Sequence, residues 1–83
     1  MCSYNGVNGN ATCGNHGLLT TILRDTWKWD GFVVSDYDAW AEIWSTHQQG
    51  GSEEGGAAKG LNAGIDQEGG GHNAIDQLAQ VRF

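Results

Sequence analysis

Proline is absent from this 83-residue sequence, and only 17% of its residues are charged. Coiled coils are dominated by Ala, Glu, Lys, Leu and Arg, so the low charge excludes one. Glycine is plentiful at 14 residues, but it has no period of three and no proline beside it, which excludes a collagen-like chain. No apolar run reaches the roughly 18 residues that would predict a membrane span. No basic stretch followed by an apolar one marks a secretory leader. Four Lys and Arg stand against ten Asp and Glu, a formal charge of -6. An acidic surface repels phosphate backbones, so neither nucleic acid nor membrane is expected as a partner. The two cysteines, Cys2 and Cys13, are too few for a disulfide scaffold, and whether they pair stays open. With no CxxC pair and no cluster of histidines, no metal or cofactor is expected. A chain of this length is one small domain at most and buries only about 60% of its unfolded surface.

What is present alternates between strand and helix signals. Met1–Tyr4 is a short apolar run stopped by Asn5-Gly6, and residues 5–15, dense in Asn and Gly, predict a long loop. Asn15 stands where an N-cap would. Leu18, Leu19, Ile22, Leu23 and Trp27 then recur at helical spacing, predicting a helix over 16–28 with Trp27 on its core stripe. Phe32–Ser35 predicts a strand buried on both faces, as in a parallel sheet. Trp40, Ile43 and Trp44 mark a short helix within 36–51. A second helix is predicted from Ser52 to about Ala63, opening on Glu53 and Glu54 where the dipole favours anions. Gly64–Asp66 reads as a third strand and Glu68–Gly71 as a loop. A last helix from Asn73 to about Val81 carries Ile75, Leu78, Ala79 and Arg82.

The strand ends near Tyr4, Asp36 and Asp66 lie 32 and 30 residues apart (36 minus 4, 66 minus 36). One βα unit is about 30 residues, so the unit is repeated. The expected fold class is α/β, with three parallel strands opening into a doubly wound sheet or forming an arc of a (β/α)8 barrel. Such a barrel takes about 250 residues, of which this chain would supply about three-eighths.

Barrel enzymes carry their catalytic groups at the carboxyl ends of the strands. By position the candidates are Tyr4, Asp36, Tyr37, Asp66 and Glu68. Each has a plainer reading as well. An Asp just after a strand is commonly a helix cap, and Glu68 before three glycines reads as a solvated loop residue. His16, His47 and His72 share no metal-ligand spacing. Ser35-Asp36-Tyr37-Asp38 resembles the opening of a calcium loop spanning 36–47, but the bidentate Glu at the twelfth position is missing. Ser3 and Ser35 lack a nucleophile-elbow pattern. Gly69-Gly70-Gly71 is followed by no GK[ST] and fits no GxGxxG register. Trp27, Trp29, Trp40 and Trp44 crowd into 18 residues. Trp40 and Trp44 could stack on sugar rings, although packing is the commoner role. Asn10-Ala11-Thr12 is an acceptor pattern for N-glycosylation, which favours a secreted or extracellular protein.

These residues together resemble glycoside hydrolase family 3. The resemblance runs from Met1-Cys2-Ser3-Tyr4-Asn5 through Val7-Asn8-Gly9, Cys13, Asn15, Leu18-Leu19-Thr20 and Ile22-Leu23-Arg24. It continues through Trp27 and Gly31-Phe32-Val33-Val34-Ser35-Asp36 to Ala57-Ala58 and Ala63-Gly64-Ile65-Asp66, in the family's order and spacing over about residues 1–68. It implies a (β/α)8 barrel of which this chain covers strands six to eight, residues 1–83 being part of the N-terminal domain with no second domain. It makes Asp36 the nucleophile, lines the subsite of the non-reducing sugar with Tyr4, and borders that pocket with Met1. Tyr37 stands where the family usually has a sugar-packing Trp. Thr26-Trp27-Lys28-Trp29 replaces Glu-Trp-Gly-Phe, and Gln67-Glu68-Gly69-Gly70-Gly71 replaces a Met-Pro-Gly-like loop.

The activity implied is that of a retaining β-glucosidase, releasing terminal non-reducing β-D-glucosyl residues through a covalent glycosyl-enzyme. The partners implied are a β-glucoside or cello-oligosaccharide and the remainder of the protein's own chain. Retention needs a second carboxyl group about 5–5.5 Å away as acid/base. The resemblance assigns that Glu to a following domain, and an Arg and a Lys-His pair that hold the sugar to earlier strands. The 83 residues alone are therefore expected to be inactive and not to fold by themselves. The rival reading is a non-catalytic carbohydrate-binding or structural βα segment in which Asp36 serves as a cap.

Overall fold

Three stretches of chain run side by side and parallel at the centre of the computed structural model, which describes residues 1–71 and 73–79. Cys2 N–H donates to the Val34 carbonyl (3.0 Å) and Asp36 N–H to the Cys2 carbonyl (2.9 Å). On the other side Ser35 N–H donates to Gln67 O (3.0 Å) and Gln67 N–H to Val33 O (3.1 Å). The predicted parallel order, with Val33–Asp36 in the middle, is therefore present as bridging pairs, Cys2 with Ser35 and Val34 with Gln67. Burial is less complete than predicted. Val33 and Ser35 are buried and Val34 is half-buried, but Phe32 lies outside the ladder and is exposed.

Among the described residues the two regular strands lie elsewhere, in the stretch predicted as a long loop. β1 (Gly6–Val7) and β2 (Asn10–Ala11) form an antiparallel hairpin with Gly6 opposite Ala11. Asn8 (φ 51°) and Gly9 (φ 83°) make the turn, both left-handed, as a two-residue hairpin of matching twist requires. A 3-10 turn, Thr12–Gly14, follows and brings Cys13 into a disulfide with Cys2.

Asn15 caps the next helix as predicted, its Oδ1 accepting from Leu18 N–H (3.1 Å). This helix, Gly17–Thr26, is wound as a π helix, and Trp27 N–H reaches back five residues to Ile22 O (2.9 Å). A wider turn changes the angular step per residue, so a stripe set at 3.6 residues drifts off the core. Leu19 stays buried and Leu23 packs against the core, while Ile22 is exposed. Trp27, predicted on the core stripe, is 69% exposed.

α1 (Glu42–Ser45) is anchored by the fully buried Ile43. Trp40, just before it, is buried with its Nε1–H donated to the Ala57 carbonyl (2.9 Å), which fixes its role as packing. α2 (Glu53–Ala63) is capped by Ser52, whose Oγ accepts from Gly55 N–H, and it ends at Gly64 (φ 127°). Its inward face is Gly56, Ala57, Gly60 and Ala63. Small residues there let the Trp40 indole and Ile65 lie directly against the helix; a Cβ at Gly60 would collide with the indole and press on Ile65. α3 (Asn73–Leu78) realises the start of the last predicted helix; His72, Val81 and Arg82 fall outside the described residues. Among the described residues no helix is long and apolar enough to cross a membrane.

Candidate functional site

The carboxyl edge of the three parallel stretches gathers Tyr4, Asp36 and Tyr37, with the loop after Gln67 beside them. Asp36 is fixed from two sides. Its N–H belongs to the ladder, and its Oδ1 accepts from Tyr37 N–H (2.7 Å), which sets the direction of the half-buried carboxylate. Tyr4 faces it from the first stretch. The Tyr4 phenol is held above its ordinary pKa by desolvation, then by the negative charge of the nearby Asp36 carboxylate. Glu42 and Asp38 add to the effect. Tyr4 thus remains a neutral donor among three carboxylates, in a region of negative potential. Tyr37 is 65% exposed, its ring lying over Gly70, and Met1 is 80% exposed at the start of the first stretch.

The loop after the third stretch is locked to the Asp36 turn. Buried Ser35 accepts from Gly69 N–H through its Oγ (3.0 Å), and Asp38 N–H donates to Gly69 O (3.2 Å). Asn73 Nδ2 donates to Asp38 Oδ1 (3.3 Å). Gly69 is required for this approach, because a Cβ there would collide with the Ser35 carbonyl. Asp38 and His47, from the stretch resembling a calcium loop, are engaged in these polymer contacts: His47 Nε2 lies 2.7 Å from the Tyr4 carbonyl.

Two candidates have structural positions. Asp66 is not at the carboxyl edge: its Oδ2 accepts from Val33 N–H (2.8 Å), at the opening end of the middle stretch, and pairs with Arg24 (2.6 Å). The third stretch pairs through Gln67, so its carboxyl end comes later than Asp66. Glu68, predicted as a solvated loop residue, is buried and caps α3, accepting from Ala74 N–H (2.9 Å) and Ile75 N–H (3.0 Å). Burying a carboxylate is tolerated when backbone donors satisfy it. Glu68→Ala orphans both donors and is expected to cost about 1–2 kcal/mol, read as faster amide exchange across α3. Exchange in α3 unchanged from the native chain would remove the capping role.

Trp44 lines a cleft of about 490 Å³ between α1 and α3, with Asp38, Glu42, Glu53 and Asn73, and Asp36 is not part of that lining. Sequence reading missed His47 and Gln49. Gln49 Oε1 accepts from Ala11 N–H (3.0 Å) and its Nε2 donates to Gly9 O (2.8 Å). These partners lie 38 to 43 residues away, so no local pattern carries the signal.

Comparison with known proteins places this arrangement. Residues 1–80 match the family described as Glycosyl hydrolase family 3 N terminal domain. A probable exo-1,4-beta-xylosidase of Aspergillus fumigatus is 44% identical over 68 residues, 80% of this chain and 9% of that protein. An exo-alpha-(1->6)-L-arabinopyranosidase of Bifidobacterium longum is 44% identical over 68 residues, 82% of this chain and 7% of its own length. A solved b-glucosidase from Erythrobacter marinus superposes with a TM-score of 0.86 at 36% identity, over 93% of this chain and 10% of that one. The chain spans about a tenth of the relatives it matches.

Proposed function

The chain belongs to glycosyl hydrolase family 3, and from that premise we propose that it is the nucleophile-bearing part of a retaining β-glycosidase. The observation that carries this is Asp36, a carboxylate held at the carboxyl edge of three parallel stretches between two tyrosines. Asp36 attacks the anomeric carbon while the bond to the leaving oxygen breaks, and a carboxylic acid elsewhere in the protein protonates that oxygen. Water then hydrolyses the glycosyl ester, with the same acid acting as base. The transition state resembles an oxocarbenium ion, which the negative potential of Asp36, Asp38 and Glu42 stabilises. Tyr4 donates to the sugar or to Asp36, and the exposed Tyr37 and Met1 border the ring.

In this reading the chain is strands six to eight of a (β/α)8 barrel, and the rest of the barrel covers the exposed Ile22, Trp27 and Phe32. The acid/base lies outside the 83 residues, so they do not turn over substrate alone. The Cys2–Cys13 disulfide and the exposed Asn10 suit an oxidising, extracellular compartment.

Terminal, non-reducing β-D-glucose is the first sugar proposed. A pentose is the second reading, favoured by relatives named as xylosidases and an arabinopyranosidase. Aryl β-D-glucoside and β-D-xyloside offered to the whole enzyme separate the two. Proton NMR of the first-formed sugar is expected to show the β anomer; an α anomer formed first contradicts retention. Hydrolysis of neither aryl glycoside by a folded enzyme favours the non-catalytic segment, with Asp36 as a turn cap.

A further inference from the structure

Tyr4 is 44% exposed, so packing alone does not hold its ring against Asp36. Its backbone is held instead, by the segment that follows α1. The Gln48 amide folds back to donate to the carbonyls of Trp44 (2.9 Å) and Ser45 (3.3 Å), ending the helix, and Gln48 itself takes a left-handed conformation (φ 58°). That turn aims the two flanking side chains at the first thirteen residues. Gln49 presents its amide to Gly9 O in the hairpin turn and to Ala11 N–H on β2, so the side chain pairs with the backbone there as a neighbouring strand would. His47 reaches the Tyr4 carbonyl with Nε2 at 2.7 Å, and a carbonyl only accepts, so this nitrogen carries the proton. The buried Ile43, whose carbonyl also accepts from Gln49 N–H (2.9 Å), ties the whole clamp to the core.

We infer that His47 is a positioning residue for sugar recognition: by donating to the Tyr4 carbonyl it fixes where the Tyr4 phenol stands relative to Asp36. The inference rests on the function proposed above, in which Tyr4 touches the sugar. It gives the segment after α1 a job besides connecting α1 to α2.

The test uses the whole enzyme with an aryl glycoside. His47→Leu keeps bulk and removes the donor; His47→Gln keeps a donor of similar reach. The Leu variant is expected to lose about tenfold in kcat/KM, mostly through a raised KM, and the Gln variant to lie within about twofold of native. In a Tyr4→Ala background the same His47→Leu change is expected to have no further effect, since a residue that acts only through Tyr4 has nothing left to position. Equal losses in both backgrounds, a Leu variant like the native enzyme, or a Leu variant that does not fold each overturns the inference. Asp36→Asn, run alongside, separates the two levels. Full turnover in that variant removes the function proposed above. An inactive Asp36→Asn with a native-like His47→Leu removes only the clamp.

Discussion

Asp36→Asn in the whole enzyme is expected to lower kcat/KM by about ten-thousandfold or more, with the fold unchanged. The size follows from what the carboxylate does. It forms the bond to the anomeric carbon, and an amide of the same shape is a poor nucleophile that carries no charge for the oxocarbenium-like transition state. The fold is spared because the ladder uses the Asp36 backbone, and an Asn Oδ1 still accepts from Tyr37 N–H. A loss of circular dichroism in this variant would mean that Asp36 is structural. Native-like spectra with native-like turnover would leave the turn-cap reading.

Removal of the Cys2–Cys13 disulfide is expected to have the second largest effect. The bridge closes an 11-residue separation that contains Tyr4 and the hairpin, and both sulfurs lie in the core. Closing a loop of this size contributes about 3 kcal/mol, chiefly by restricting the open chain, which corresponds to amide exchange faster by about two orders of magnitude. The acceleration is expected over the first thirteen residues, read by hydrogen exchange on Cys2→Ser/Cys13→Ser, and with it a raised KM because Tyr4 moves. Unchanged exchange would show that the clamp and hairpin suffice. Acceleration spread evenly over α2 would show that the bridge supports the whole core rather than the sugar-facing edge.

Much of this arrangement is legible in sequence, and the failures have physical causes. The order of the parallel stretches follows from apolar runs at repeated βα spacing, and Asp36 is found by its place after the middle one. The hairpin β1–β2 was also within reach, since Asn8-Gly9 is a strong turn signal, but the density of Asn and Gly around it reads as loop. Asp66 was assigned to the wrong end because register is a pairing property: whether a stretch meets its neighbour through Asp66 or Gln67 leaves the apolar pattern the same. Glu68 reads as solvated because glycines follow it, yet those glycines let the chain turn so that the start of α3 meets its carboxylate. Trp27 fits a helical stripe only at 3.6 residues per turn, and the π winding removes it. His47 and Gln49 act on atoms some forty residues away, which no local period encodes.

The central claim is a covalent bond between sugar and Asp36, and trapping that bond tests it most directly. An activated 2-deoxy-2-fluoro-β-glucoside lets the glycosyl-enzyme form and slows its breakdown. The whole enzyme, so treated, digested and mapped by mass spectrometry, is expected to carry the fluorosugar on Asp36, in the peptide that contains Phe32–Tyr37. A label on Asp38, Asp66 or Glu68 instead would contradict the assignment made here, and a folded enzyme that takes no label from the gluco or xylo reagent would contradict the covalent mechanism itself.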